Sequence, residues 1–254
     1  MWAANCDFRT ALEELAIDCG LLQRDGHAPV RLTPKIARPD EAALAAERGE
    51  SMRWAAQVWR DARPAAGTPV ETYLRARGIT LAVPASLRFA PSLKYGPDGR
   101  HFPAMVAGVQ DAAGAIVGVH RTYLRADGRR KADVERPKRM GGACWGGAVR
   151  FAKPAAELGI AEGIESALSV MQATGLPCWA ALSLGNQRAI ALPAVVTSVV
   201  LLADQDELDI DKHDKLRDAA ALHHRAHGRA VRIAKPPRGK DFNDLIREGA
   251  EVSA

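Results

Sequence analysis

The chain has few cysteines, no long apolar run and no cluster of metal-ligating cysteine spacing. Cys6, Cys19, Cys144 and Cys178 are scattered through 254 residues, and no CxxC pair occurs. This argues against a zinc site built from this chain alone and against a disulfide framework, and the simplest setting is reduced and cytoplasmic. No apolar stretch reaches about 18 residues, so no membrane span is expected. The first residues, MWAANCDFRTALEELA, lack the basic-then-apolar layout of a secretory signal. A GxxxxGK[ST] loop is also missing, which excludes a P-loop motor in this chain. There is no internal repeat.

What remains is an ordinary soluble composition, 47% hydrophobic and 26% charged, with a net charge of +5. The length suits one large domain or two small ones. The charge is unevenly placed. Between Arg121 and Lys153 there are ten Lys and Arg against Asp127, Asp133 and Glu135. About fifty residues later, Asp204, Asp206, Glu207, Asp209, Asp211 and Asp214 crowd together directly after the apolar run VVLLA. The first segment suits phosphates and the second suits cations.

Residues 8–19 and about 40–62 read as helices, with a linker rich in proline and glycine between them. VETYLRARG reads as a short helix closing on Gly78. Residues 101–125 alternate about the turn DAAG and predict a hairpin. GGACWGG reads as a turn between strands, or as a loop able to cradle phosphates. After Pro154 short strands alternate with helices: strands at 157–161, 178–182, 194–203 and 230–234, and helices at 163–175, 211–227 and from Asp241 onward. This alternation predicts parallel pairing with right-handed crossovers. The expected divisions are a helical segment over 1–65, a basic mixed α+β subdomain over 66–153, and a parallel α/β domain over 154–254.

In an open parallel sheet, ligands bind beyond the carboxyl ends of the strands. Glu162 follows the first of these strands, Asp204 and Asp206 the third, and Asp241 the turn after the fourth. Asp204 and Asp206 alternate along the chain, so both can face one ion while Gln205 points away. Such hard oxygen donors suit Mg²⁺ or Mn²⁺, which keep several waters and bind phosphates. Blander readings stand beside this one. Asp204 and Asp206 also suit a solvated helix cap, and Asp241 begins a good capping sequence. Glu165 suits a helix N-terminus as well as a metal. Glu207, Asp209, Asp211 and Asp214 read as an acidic loop and first helical turn. His223, His224 and His227 share a helix, where an exposed face competes with zinc ligation.

IAEGIESAL, LLADQDE and GKDFNDLI, in this order and spacing, resemble the Toprim domain shared by bacterial DnaG-type primases, topoisomerases and some nucleases. SLGN at 183–186 sits where such primases carry a Ser-Leu-Gly loop. VETYLRARGITLAVPASLRFAPSL resembles the segment ahead of their catalytic sheet, and GAIVGVHRTYLRADGRRKADVERPKRMGG resembles their basic stretch. The likeness spans roughly residues 66–250. FRTALEELAIDCGLL resembles the tail that follows their zinc ribbon, while the ribbon itself is missing, so a piece or relative of a longer primase is expected. Two departures stand out: Ser166 and Asn243 occupy positions where the family often has Asp.

The resemblance implies an α/β fold: a Toprim-like parallel sheet flanked by helices, preceded by a helical and mixed α+β subdomain. It implies template-directed RNA primer synthesis on single-stranded DNA from ribonucleoside triphosphates. Glu162, Asp204 and Asp206 would be catalytic, and these with Asp241 would hold Mg²⁺ or Mn²⁺. Arg121, Lys131, Lys138, Arg139 and Lys240 would meet nucleotide or template. A replicative helicase is a candidate partner. A Toprim nuclease and a non-catalytic single-strand-binding accessory are the alternatives. A topoisomerase fits poorly, because Tyr73, Tyr95 and Tyr123 all precede the Toprim part.

Overall fold

The computed structural model describes residue 17 and residues 40–96, 99–205 and 210–252. The helix expected over 8–19, apart from residue 17, and the acidic positions Asp206, Glu207 and Asp209 lie outside the described residues. Two five-stranded sheets, both within the unit Ala45–Ala254, organise the chain.

The first sheet is antiparallel and runs β1 (Arg63–Pro64), β2 (Leu87–Lys94), β3 (His101–Gln110), β4 (Ile116–Tyr123), β5 (Lys138–Gly142) in spatial as well as chain order. The expected hairpin is β3–β4. Its central position explains why Ala104 to Val109 are buried without alternation. Helix α1 (Glu41–Asp61) lays Ala55, Val58 and Trp59 against Ala90, Val106 and Val119. Gly108 permits this approach, because a Cβ there would come within 3.0 Å of the Trp59 ring.

Helix α2 (Pro69–Ala76) starts as its sequence dictates. The Thr68 hydroxyl accepts from Val70 N–H at 3.2 Å, and Pro69 occupies a first-turn position where it loses no hydrogen bond. Val70, Tyr73 and Leu74, at i, i+3 and i+4, form its buried face.

The second sheet has spatial order β10 (Ala230–Ala234), β9 (Ser198–Leu202), β7 (Glu157–Ala161), β8 (Cys178–Ala180), β6 (Val149–Arg150). The first four are parallel, as expected, and β6 is an antiparallel edge. Helix α3 (Ile164–Thr174) and helix α5 (Phe242–Val252) cover one face, packing Ile164, Ala167, Leu168 and Phe242 with Val200 and Leu202. Helix α4 (Ile210–Ala226) covers the other, packing Ala220 and Ala221 with Val199 and Leu201. The strand alternation delivers adjacent residues to opposite layers.

Two strands are shorter than expected. Pro193 to Val196 close a turn, so β9 begins at Ser198. β8 stops at Ala180, and two residues later Leu182 adopts a left-handed backbone with φ 69°. Among the described residues, no helix is long and apolar enough to cross a membrane.

Candidate active site and nucleic-acid interface

The carboxyl edge of the parallel sheet gathers three of the four expected acids. β7 delivers Glu162, whose carbonyl accepts from Leu182 N–H at 2.9 Å. β9 delivers Asp204, whose carboxylate accepts from the Ser166 hydroxyl at 3.2 Å. Ser166 is buried on α3, so the residue that departs from the family pattern here supports Asp204. The Asp204 carbonyl is held from the other side by the buried Arg217 guanidinium. The Gln205 N–H donates to Lys240 carbonyl at 2.6 Å, which draws together the flanking Asp204 and Asp241. Asp206, the fourth expected acid, lies outside the described residues.

Burial and neighbouring charge both act on Asp204. Burial, then the Glu162 carboxylate, then Asp241 push the Asp204 carboxyl up to about 7. A divalent cation would relieve that repulsion, so the donor set fits a hard metal ion. It is an open set: among the described residues, no three His, Cys, Asp or Glu side chains are grouped closely enough to hold an ion. An ion that keeps several waters and completes its shell with phosphate oxygens suits such an edge.

Asp241 also caps α5, its Oδ1 accepting from the N–H groups of Asn243 (2.8 Å) and Asp244 (3.0 Å). Asn243 is buried and donates to Arg77 carbonyl (2.8 Å) and to the Ser169 hydroxyl (3.1 Å), tying α5 to α2 and α3. Asp214, in the acidic run, pairs with Arg217 and with Lys235 at 3.2 Å. His224 is buried with Nε2 at 2.9 Å from Gln187 carbonyl, and His227 Nδ1 sits 2.8 Å from His223 carbonyl; these histidines belong to no metal cluster among the described residues.

The cations separate into two sets. Lys138 and Arg139 are neighbours on β5, so they leave opposite faces of the sheet. Lys138 reaches Glu165 at 3.3 Å, and Lys131 reaches the same carboxylate at 3.8 Å. Arg139 lies 4.7 Å from the Tyr95 ring centroid. Arg121, its cross-strand partner, stacks 4.7 Å over Trp54 and donates to Met140 carbonyl at 3.0 Å. Lys240 is exposed beside Asp241.

Glu165 is the residue whose role the sequence hid. It is 5% exposed, and the Tyr73 hydroxyl donates to it at 2.6 Å. Burial alone would raise its carboxyl, but Lys138, Lys131 and the Tyr73 hydrogen bond hold it well below the usual range. Glu165 lies in the first turn of α3, as its sequence suits, and from there its carboxylate forms an ion-paired joint with Lys138 and Lys131 of the basic segment. Around the joint, burial and Lys138 lower His120 to about 4. Burial brings Lys131 down to about 8, with Glu165 opposing the shift and Lys138 adding to it.

Two family models match the chain. Residues 49–151 match a domain of unknown function, DUF7146, and residues 157–251 match the Toprim domain. The parallel half of the chain is a Toprim domain. Divalent-metal dependence is general among Toprim domains, in keeping with the acids at this edge. No curated protein matches the chain in sequence. Solved structures share its fold, three of them as follows. A DNA primase domain from Pseudomonas aeruginosa has a TM-score of 0.53 at 15% identity, covering 80% of this chain and 77% of that one. The DnaG primase catalytic domain bound to ssDNA gives 0.54 at 14% identity, covering 82% and 81%. The DnaG catalytic core gives 0.54 at 16% identity, covering 78% and 75%. The Toprim domain and the antiparallel sheet before it thus have the architecture of primase catalytic domains.

Proposed function

We propose that the chain is a primase catalytic core that synthesises RNA primers on a single-stranded DNA template from ribonucleoside triphosphates. The observation that carries this reading is the placing of Glu162 and Asp241 near the part-buried Asp204 at the Toprim edge. Lys131 and Lys138 approach the same region from the basic subdomain, through their shared partner Glu165. Within this reading, residues 66–153 present template and nucleotide and residues 154–254 carry the chemistry.

The reaction joins a primer 3′-hydroxyl to the α-phosphate of a nucleotide and releases pyrophosphate. Glu162, Asp204 and Asp206 would hold Mg²⁺ or Mn²⁺, supported by Asp241. Such ions neutralise phosphate charge and favour in-line attack. Ser166 and Arg217 hold Asp204 in place, through its carboxylate and its carbonyl respectively. Glu162, partly exposed, is a candidate acceptor for the proton of the attacking hydroxyl. Lys131, Lys138 and Lys240 would meet phosphates, while Arg121 and Arg139 offer a second basic face.

The test is a gel with labelled single-stranded DNA, four ribonucleotides, Mg²⁺ or Mn²⁺, and Asp204→Asn as control. Template-dependent RNA that vanishes in the variant is expected. Shortened DNA without new RNA would overturn the reading in favour of a Toprim nuclease. Binding without turnover would make the chain an accessory.

A further inference from the structure

We propose that the Trp145 indole is a stacking platform for an unpaired base of the nucleic-acid strand that serves the Toprim edge. This rests on the polymerase reading above and adds to it a subsite on a different loop.

Trp145 is 62% exposed, although an indole is among the side chains that gain most from burial. Its exposure is not the result of a loosely held loop. Gly146 N–H donates to the side-chain oxygen of Asn186 at 2.8 Å. The Asn186 amide donates in turn to Gly147 carbonyl (2.9 Å) and Ala181 carbonyl (2.7 Å). Asn186 itself is 3% exposed, so a buried amide with three hydrogen bonds clamps the segment that carries the indole. A large apolar ring presented outward from a pinned loop fits contact with a partner better than idle exposure.

The location points to the partner. Ala181 and Leu182 donate their N–H groups to the carbonyls of Ala161 and Glu162, so the clamp is bonded to the strand end that carries the proposed catalytic glutamate. The indole lies against the Gly185 turn, where a Cβ would stand 3.9 Å from the ring. Beside it opens a groove of about 630 Å³, lined by Arg48, Ser51, Met140, Trp145 and Ser183 among others and, among the described residues, by no carboxylate. Arg188, in the same turn as Gly185, is exposed. An occupant that brings a flat π face and negative charge matches an exposed indole flanked by arginines and hydroxyls. An unpaired nucleotide brings both, and base–aromatic stacking tolerates any base sequence.

The test titrates wild type, Trp145→Ala and Trp145→Phe with a labelled oligothymidylate, following anisotropy and intrinsic fluorescence. Template-dependent primer synthesis is scored in parallel. Trp145→Ala should weaken single-strand binding about 5- to 150-fold, the loss of one stacked base. Trp145→Phe should retain most of the affinity, and the wild-type indole quench should disappear in both variants. Unchanged affinity and quench in Trp145→Ala would overturn the stacking site while wild-type primer synthesis keeps the polymerase reading intact. Equal weakening toward a blunt duplex would also overturn it, because paired bases offer no free face. A changed oligomeric state with unchanged DNA affinity would assign the indole to a second copy of the chain. Absence of both binding and synthesis in the wild type would remove the inference together with the reading beneath it.

Discussion

Asp204 is the residue at which burial and the proposed metal binding pull in opposite directions. Its carboxyl is pushed up to about 7 in the fold from an ordinary value of 3.8. The protonated form is thus the one that folding favours. In the metal-free protein this group's contribution is fully present below about pH 4 and is lost as pH rises through 7. A bound divalent ion needs the deprotonated form and releases a proton below pH 7. The thermal shift on adding Mg²⁺ or Mn²⁺ should therefore grow from pH 6 to pH 8. A shift independent of pH would remove Asp204 from the ion's surroundings. Asp204→Asn relieves the repulsion without altering shape, so it should abolish synthesis while leaving the metal-free protein at pH 8 as stable as wild type or more so. Glu165 is the converse case, a buried carboxylate with two lysines and a hydroxyl around it. Glu165→Gln leaves those lysines without their counter-charge, and urea unfolding should show a loss of about 3 kcal/mol or more. A loss under about 1 kcal/mol would mean that solvent already screens the joint.

The elements divide by how openly their sequences declare them. VETYLRARG forms a helix because Thr68 and Pro69 start it, its apolar residues share one face, and Gly78 turns left-handed with φ 74°. β7 and β9 are short apolar runs that only a covered parallel strand satisfies. β5 has no such signature, since KRMGG is charged and glycine-rich; it is a strand because β4 lends it a hydrogen-bonding edge. β2 was hidden by Pro91, which falls at the irregularity between Ala90 and Leu93. The last helix adds to the apolar packing of Phe242 the hydrogen bonds of the buried Asn243 side chain. Asn243→Ala would strip α5 of its bonds to Arg77 and Ser169, and it should cost about 1–3 kcal/mol. Hydrogen exchange should show faster opening of Phe242–Val252; unchanged protection there would show that apolar packing alone seats the helix.

At the scale of the whole molecule, the antiparallel sheet aims its two kinds of cation in different directions. Lys138 faces the joint with the Toprim domain, and Arg139 faces the aromatic side with Tyr95. If the strand passes the Toprim edge, Lys138→Ala should lower the slope of log affinity against log salt by about 0.7, the loss of one phosphate contact on a single strand. Arg139→Ala should leave that slope in place. A larger change for Arg139→Ala would route the strand over the opposite face.

The class of fold, the alternation of parallel strands with helices, the placing of Glu162 and Asp204 just past strand ends and that of Asp241 in the turn after β10 are legible along the chain. Each of these follows from local pattern: apolar period, glycine stops, and acids placed where a strand must end. Packing alone sets the spatial order of the strands, the pairing of Glu165 with Lys131 and Lys138, the support of Asp204 by Ser166 and the outward stance of Trp145 on a clamped loop. Those outcomes depend on contacts between segments tens of residues apart. A side chain's charge partner is set by which surfaces the packed sheets bring together, and no window along the chain contains that information.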